Sequence, residues 1–140
     1  MQKIIIHTDG GARGNPGPAG IGAVIEDAEG NILAKISKYI GETTNNFAEY
    51  EALIVALAAA REIFGEALRA MEITVYMDSE LVVRQLTGAY KVKEAGLKSQ
   101  FARVGQIAAS LKHISYNHVP RERNARADEL VNDAIDAAGH

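Results

Sequence analysis

The sequence Lys3-Ile4-Ile5-Ile6-His7-Thr8-Asp9-Gly10-Gly11 runs from three consecutive isoleucines straight into an acid and a pair of glycines. The isoleucines predict a buried strand over residues 3–8, because β-branched side chains favour an extended backbone. Asp9 is thereby delivered to the strand's end, at the edge of a core, where a charge is costly unless it is paired or holds a metal ion. Residues 10–20 follow as a loop, dense in glycine and proline between Gly14 and Pro18. Further out, residues 21–26 and 32–40 read as two more strands joined by a hairpin turn at 27–30. The third strand alternates, with Ile32, Ala34, Ile36 and Lys38 facing one way and Leu33, Lys35, Ser37 and Tyr39 the other. A long helix is expected at 46–64, striped by Leu53, Ile54, Leu57 and Ala60. A strand at 72–77, a short helix at 79–86 closed by Gly88, a helix at 97–111, a strand at 113–119 and a last helix at 124–138 complete the order. A meander of three strands followed by alternating helices and strands describes an α/β chain, with a five-stranded mixed sheet and helices on both faces.

At 140 residues the chain reads as one domain, 1–140, with ordinary proportions of hydrophobic (47%) and charged (24%) residues for a globular protein. It contains no cysteine, which excludes disulfides and thiolate metal sites and fits a cytoplasmic location. The longest mainly apolar stretch, 52–60, is far short of the ~20 residues that a membrane span needs, and the N-terminus lacks a secretory pattern. No membrane partner is therefore expected, and a monomer is. The net charge of −3 argues weakly against nucleic acid, but its distribution points the other way. Between Arg84 and Lys112 stand Arg84, Lys91, Lys93, Lys98, Arg103 and Lys112 against Glu94 alone, and Arg121, Arg123 and Arg126 lie close together further on.

Four acids sit awkwardly, and each has a plain structural alternative. Asp9 could serve an Asp-Gly turn. Glu49 could close a capping box with Asn46, although it shares a helical stripe with Ala52, Leu53, Ala56 and Leu57 and so points inward. Asp78, after the fourth strand, could cap the helix that follows. Asp128 could complement the dipole of the last helix, yet it shares a stripe with Val131 and Ile135. Taken together they mean more. Ligands of open α/β sheets gather at the carboxyl ends of parallel strands, where Asp9 and Asp78 are expected, and Glu49 and Asp128 lie near helix starts that can flank the same edge. Oxygen-only donors suit Mg2+ or Mn2+, and two such ions can activate water and stabilise a leaving oxygen in phosphodiester hydrolysis.

The motifs themselves resemble a known family. Thr8-Asp9-Gly10-Gly11-Ala12-Arg13-Gly14-Asn15-Pro16-Gly17-Pro18-Ala19-Gly20 is similar to the opening signature of type 1 ribonuclease H. Thr43-Thr44-Asn45-Asn46-Phe47-Ala48-Glu49, Met77-Asp78-Ser79-Glu80-Leu81-Val82 and Asn124-Ala125-Arg126-Ala127-Asp128-Glu129-Leu130-Val131-Asn132 resemble its second, third and fourth motifs, in family order and across essentially the whole chain. The resemblance implies a ribonuclease H-like fold and hydrolysis of the RNA strand of an RNA–DNA hybrid by two metal ions, leaving 3′-hydroxyl and 5′-phosphate ends. It implies that Asp9 bridges both ions, that Asp128 completes the site of the ion bearing the attacking water, and that Glu49 and Asp78 hold the other. It also places Asn15, Asn45 and Asn46 on the hybrid, with Gly10 and Gly11 allowing close backbone approach and Thr44 meeting a DNA-strand phosphate. Amides and backbone groups of this kind can read a 2′-hydroxyl in a shallow minor groove.

The match loosens in two places. Many members carry a histidine in the loop before the fourth acid; His118 stands at a permissible spacing, but Arg121 lies further into the loop and brings a fixed cation to the same region. Both are kept as candidates for assisting catalysis. Residues 87–95 are too few for the basic helical protrusion that some members use to grip the hybrid, so the chain is expected to be the compact form, also without a separate hybrid-binding domain; Lys91, Lys93 and Lys98 are candidates to replace part of that grip. Double-stranded RNA is an open second substrate. A binding module with a dead centre and a sugar-kinase-like phosphotransferase are the competing readings, the latter needing a second domain for which 140 residues leave no room. His7 is expected to be structural, Arg84 a solvated charge, and residues 137–140 a tail free to fray.

Overall fold

A computed structural model describes residues 2–140. Strands β1 (Lys3–Ala12), β2 (Gly17–Asp27) and β3 (Ile32–Thr43) form the meander, followed by helix α1 (Asn45–Phe64), a 3-10 turn (Gly65–Ala70), β4 (Glu72–Met77), α2 (Glu80–Leu86), α3 (Ala95–Ala108), β5 (His113–His118), a second 3-10 turn (Arg121–Asn124) and α4 (Ala125–Ala137). The sheet runs β3-β2-β1-β4-β5. β1 is antiparallel to β2 and parallel to β4, and β4 is parallel to β5. The expected five-stranded mixed sheet is therefore present, with α1 against one face, α3 packed on α1, and α4 against the other face, over β2 and β3. No helix among the described residues is long and apolar enough to cross a membrane.

Alternation along each strand explains the layers. Ile4 and Ile6 of β1, Ile25 of β2, and Ile73, Val75 and Met77 of β4 turn to one side and pack beneath Leu53, Leu57 and Ala60 of α1, all of them buried. Tyr50 belongs to the same layer; its hydroxyl donates to Gln85 Oε1 at 2.6 Å, tying α1 to α2, and burial pushes the phenol up to about 12. On β3, Ala34 and Ile36 pack towards this core, whereas Ser37 Oγ donates to the Leu130 carbonyl of α4 at 2.6 Å, as the alternation predicts.

Several expected boundaries are corrected. Residues 10–20 are not a loop: β1 continues to Ala12 and β2 begins at Gly17, with Asp9 opposite Gly22 and Gly11 opposite Gly20. Parallel pairing with β4 stops at Thr8 and Met77, so Asp9 marks the end of the parallel pair but lies inside the antiparallel one. Gly14, with φ +93°, serves the turn between the strands, while other glycines serve contact. A Cβ on Gly10 would collide with the Ala48 carbonyl of α1, and one on Gly22 with the Ala127 carbonyl of α4. Thr44, not Asn46, caps α1, its Oγ1 accepting from Phe47 N at 3.2 Å, so the Asn46–Glu49 capping box does not form. Ser79 caps α2 and leaves Asp78 free of that duty. The third strand extends to Thr43, and α3 spans Ala95–Ala108 rather than 97–111. The chain end is docked, His140 stacking on Tyr39 with its Nε2 3.3 Å from the hydroxyl.

Candidate active site

Four elements bring acids to the edge of the sheet where the parallel pair ends. Asp9 comes from β1, Glu49 from the second turn of α1, Asp78 from the residue after β4, and Asp128 from the first turn of α4. One oxygen each of Asp9, Glu49 and Asp78 lie within 4.8 Å of one another. Asp128 stands outside that group but lines the same cavity of about 410 Å³. Gly10 is what lets Glu49 reach so far in: with no Cβ in the way, the start of α1 rests on β1, and Gly10 N donates to Glu49 Oε1 at 3.3 Å.

Burial sets the electrostatics. Asp9 and Glu49 are each 6% exposed, and Asp78 and Asp128 are half-buried. Desolvation raises the Asp9 carboxyl to about 7; a hydrogen bond from Glu49 opposes the rise, while the charges of Asp78 and Asp128 add to it. Desolvation, then the neighbouring Asp9, holds Glu49 well above the usual carboxylate range. Asp78 is raised by desolvation too, partly offset by hydrogen bonding with Asp9 and Asn124. The cluster therefore resists full ionisation unless a cation shares the space. Glu49 supplies an independent sign of the same need: its Oε2 is buried without a hydrogen-bond partner among the described residues. A carboxylate oxygen so placed, within an oxygen-only donor set, fits a hard divalent cation.

The remaining sequence-derived candidates divide. Gly10, Gly11, Asn45 and Asn46 line the cavity. Asn15 lies outside its lining; its Oδ1 accepts from Asn45 N at 3.0 Å, and Asn45 Oδ1 in turn accepts from Ala12 N at 2.8 Å. Thr44 is occupied as the helix cap. Arg121 lines the cavity, with Nη2 3.5 Å from Asp128 Oδ1, whereas His118 is an exposed residue at the end of β5, outside the lining. His7 stacks on Tyr76, and Arg84 is not merely solvated: it bonds Glu80 at 2.8 Å and covers the Tyr90 ring. From α2 the chain reaches α3 through residues 87–94 without a further helix among the described residues, and Lys91, Lys93 and Lys98 are exposed there and on α3.

Sequence reasoning missed three residues. Asn124 is buried, and its Nδ2 donates to the Thr8 carbonyl at 2.8 Å, which pins the start of α4 against β1 beside Asp9. Its position four residues before Asp128 was the available signal. Arg13 and Asn132 also line the cavity, joined to each other at 3.2 Å. Nothing in the local sequence pairs them.

The Reverse transcriptase-like family matches residues 7–134. Among solved structures, an RNase H1 isolated from compost by a metagenomic approach, LC11-RNase H1, is 61% identical over the full length of both chains, with a TM-score of 0.94. The same enzyme in complex with an RNA/DNA hybrid gives 60% identity over 98% of this chain and 99% of that one, with a TM-score of 0.93. Among curated relatives, the bifunctional protein Rv2228c of Mycobacterium tuberculosis is 47% identical over 138 residues, 98% of this chain but 36% of that protein. Ribonuclease HI of Halobacterium salinarum is 42% identical over 136 residues, 97% of this chain and 66% of the relative. The chain thus spans about a third of the mycobacterial relative's length.

Proposed function

The chain belongs to the ribonuclease H1 family, and from that premise we propose that it is an endonuclease hydrolysing the RNA strand of RNA–DNA hybrids. The observation that carries the reading is the meeting of Asp9, Glu49 and Asp78 within 4.8 Å, with one Glu49 oxygen buried and unpartnered. The solved hybrid complex of LC11-RNase H1 supports the substrate class. A phosphotransferase of the sugar-kinase type is set aside by the family match.

Asp9, Glu49, Asp78 and Asp128 would hold Mg2+ or Mn2+, two ions with substrate bound, which supply an activated water and a countercharge for the leaving oxygen. The chain's own residues do the rest. Gly10 and Gly11 line the cavity, and Gly11 leaves room for a sugar-phosphate backbone to come against β1, whereas the space over Gly10 is taken by α1. Asn45 and Asn46, on the opening turn of α1, present amides that can both donate to and accept from a 2′-hydroxyl, the group that tells RNA from DNA. Asn15 holds Asn45 in place, and the half-buried Thr44, whose hydroxyl caps α1, meets the DNA-strand phosphate. Arg121 brings a guanidinium beside Asp128 to face the scissile phosphate; its place in the cavity favours it over His118 as the assisting cation. Water adds to phosphorus as the P–O3′ bond breaks, so phosphate stays on the 5′ end of one product and the 3′ oxygen of the other takes a proton. In this reading the 140 residues are one catalytic domain acting as a monomer in the cytoplasm.

The test offers a labelled RNA–DNA hybrid, an RNA duplex and a DNA duplex, each with Mg2+ and with Mn2+. The hybrid is expected to be cut in its RNA strand and the DNA duplex left whole, with the RNA duplex arm deciding whether the specificity is strict. Asp9→Asn and Asp78→Asn should each abolish cleavage in folded protein, a loss of at least about 10³-fold in kcat by the scale of removed charge stabilisation. Cleavage that survives either change removes these acids from the mechanism, and salt-sensitive binding without cleavage by the unaltered protein makes it a binding module.

A further inference from the structure

Asp128 is the acid left outside the 4.8 Å group, so the axial position of α4 decides how it faces the other three. The start and middle of α4 are held by the Asn124 bond to the Thr8 carbonyl, the Ser37 bond to the Leu130 carbonyl and the burial of Ala127, Val131 and Ile135. The helix lies on Gly20 and Gly22 of β2 through Ala127, Val131 and Ala134, and a glycine surface presents no side-chain ridges to lock a helix against sliding. A polar latch adds a hold on the second half of the helix. Asp128, Asn132 and Asp136 recur every four residues along one stripe of α4. Arg13, at the tip of the β1–β2 hairpin, reaches two of them: Nη1 lies 2.7 Å from Asp136 Oδ1, and Nη2 donates to Asn132 Oδ1 at 3.2 Å. Asn132 Nδ2 then donates to the Asp128 carbonyl at 3.1 Å. The same hairpin tip grips the start of α1 through Asn15, Asn45 and Ala12, so it spans the helix that carries Glu49 and the helix that carries Asp128.

We infer that Arg13 is a positioning residue, which with Asn132 and Asp136 holds α4 in the register that brings Asp128 to the cavity where the other three acids would hold a divalent cation. The inference rests on the reading of the four acids as a cation site, not on the identity of the nucleic acid. A bidentate guanidinium suits the role because two bonds one helical turn apart resist both sliding and rotation. The competing role is direct contact between Arg13 and an RNA phosphate, since its side chain is 37% exposed.

The two roles separate by experiment. Mn2+ binding to the free protein is measured by calorimetry for the unaltered chain, Arg13→Ala, Arg13→Lys, Asn132→Ala and Asp136→Asn, beside hybrid cleavage as a function of Mg2+ and thermal melting as a check on folding. Arg13→Ala and Asn132→Ala are expected to weaken Mn2+ binding about tenfold, the lower end for contacts that orient metal ligands. The Mg2+ needed for half-maximal cleavage should rise in step, with KM for the hybrid unchanged at saturating Mg2+ and partial recovery in Arg13→Lys. Asp136→Asn, which keeps the arginine charge, should shift in the same direction, and it carries the test together with Asn132→Ala if Arg13→Ala does not fold. Unchanged Mn2+ affinity in folded Arg13→Ala and Asn132→Ala overturns the inference. So does a raised KM with a shallower salt dependence confined to the Arg13 variants, which marks a phosphate contact. If the unaltered protein binds Mn2+ but leaves hybrids intact, the proposed substrate fails while the latch is still judged on Mn2+ binding.

Discussion

Asp9 shows what a single buried carboxyl costs a metal-free protein. Its proton is held to about 7 in the fold, against an ordinary value of 3.8, because burial disfavours the charge. Between those values the folded state binds more protons than the unfolded one, so this residue makes stability fall as pH rises from about 4 to about 7. The loss is absent below the lower value, where Asp9 is protonated in both states. Asp9→Asn removes the penalty. In the presence of a chelator, the variant is expected to be more stable than the unaltered protein at pH 8, by on the order of a few kcal/mol, with the difference closing towards pH 4. Thermal melts across that range check the sign, and saturating Mg2+ should narrow the gap at pH 8. A variant no more stable at pH 8 than at pH 4, relative to the parent, would contradict the burial argument.

At the scale of elements, the site is a meeting of helix starts with one sheet edge, and two glycines govern it. Gly10 sits under the Ala48 carbonyl and Gly22 under the Ala127 carbonyl, so a methyl group at either meets backbone that has no rotamer to give. Gly10→Ala is expected to lift the start of α1 and carry Glu49 away, destabilising the fold by roughly 1–3 kcal/mol, as overpacking does, and reducing cleavage beyond what the lost stability explains. Gly22→Ala should act on α4 and Asp128 in the same sense. Denaturant unfolding combined with cleavage assays well below the melting temperature separates the two effects. Thr44→Ala, which removes the cap of α1, should cost only ~1 kcal/mol.

The charge of the whole molecule is slightly negative, yet its surface is divided. Four acids line the cavity, while Lys91, Lys93 and Lys98 stand exposed beyond α2. With no extra helix between α2 and α3 among the described residues, the proposed function makes these lysines the candidates to grip a duplex there. Replacing all three by alanine is expected to weaken hybrid binding and to lower the slope of log K against log salt by about 2–3, close to one per phosphate released. It should leave kcat at saturating hybrid unchanged, because none of the three lines the cavity. A fall in kcat without a change in salt slope would place them in the chemistry instead.

The sequence alone determined the order and type of every strand and α-helix, because hydrophobic periodicity and caps are local: the isoleucines of β1, the stripe of α1 and the alternation of β3 each appear in consecutive residues. It also singled out all four acids, since a carboxyl on an apolar stripe is conspicuous before any fold is known. What it left ambiguous were signals with two local meanings. Glycines at 10, 11 and 20 looked like a loop, yet they lie within paired strands, and those at 10 and 22 make room for helix backbones. Asn46 read as the cap of α1, and the structure gives that role to Thr44, at the end of β3. Only the tertiary structure decided that the four acids meet at one cavity with Asp9, Glu49 and Asp78 the tightest three, that Arg121 rather than His118 enters the cavity, and that Arg13 reaches Asn132, 119 residues away. Such contacts depend on how helices seat on a sheet, and that is set by packing across the whole core rather than by the preferences of neighbouring residues.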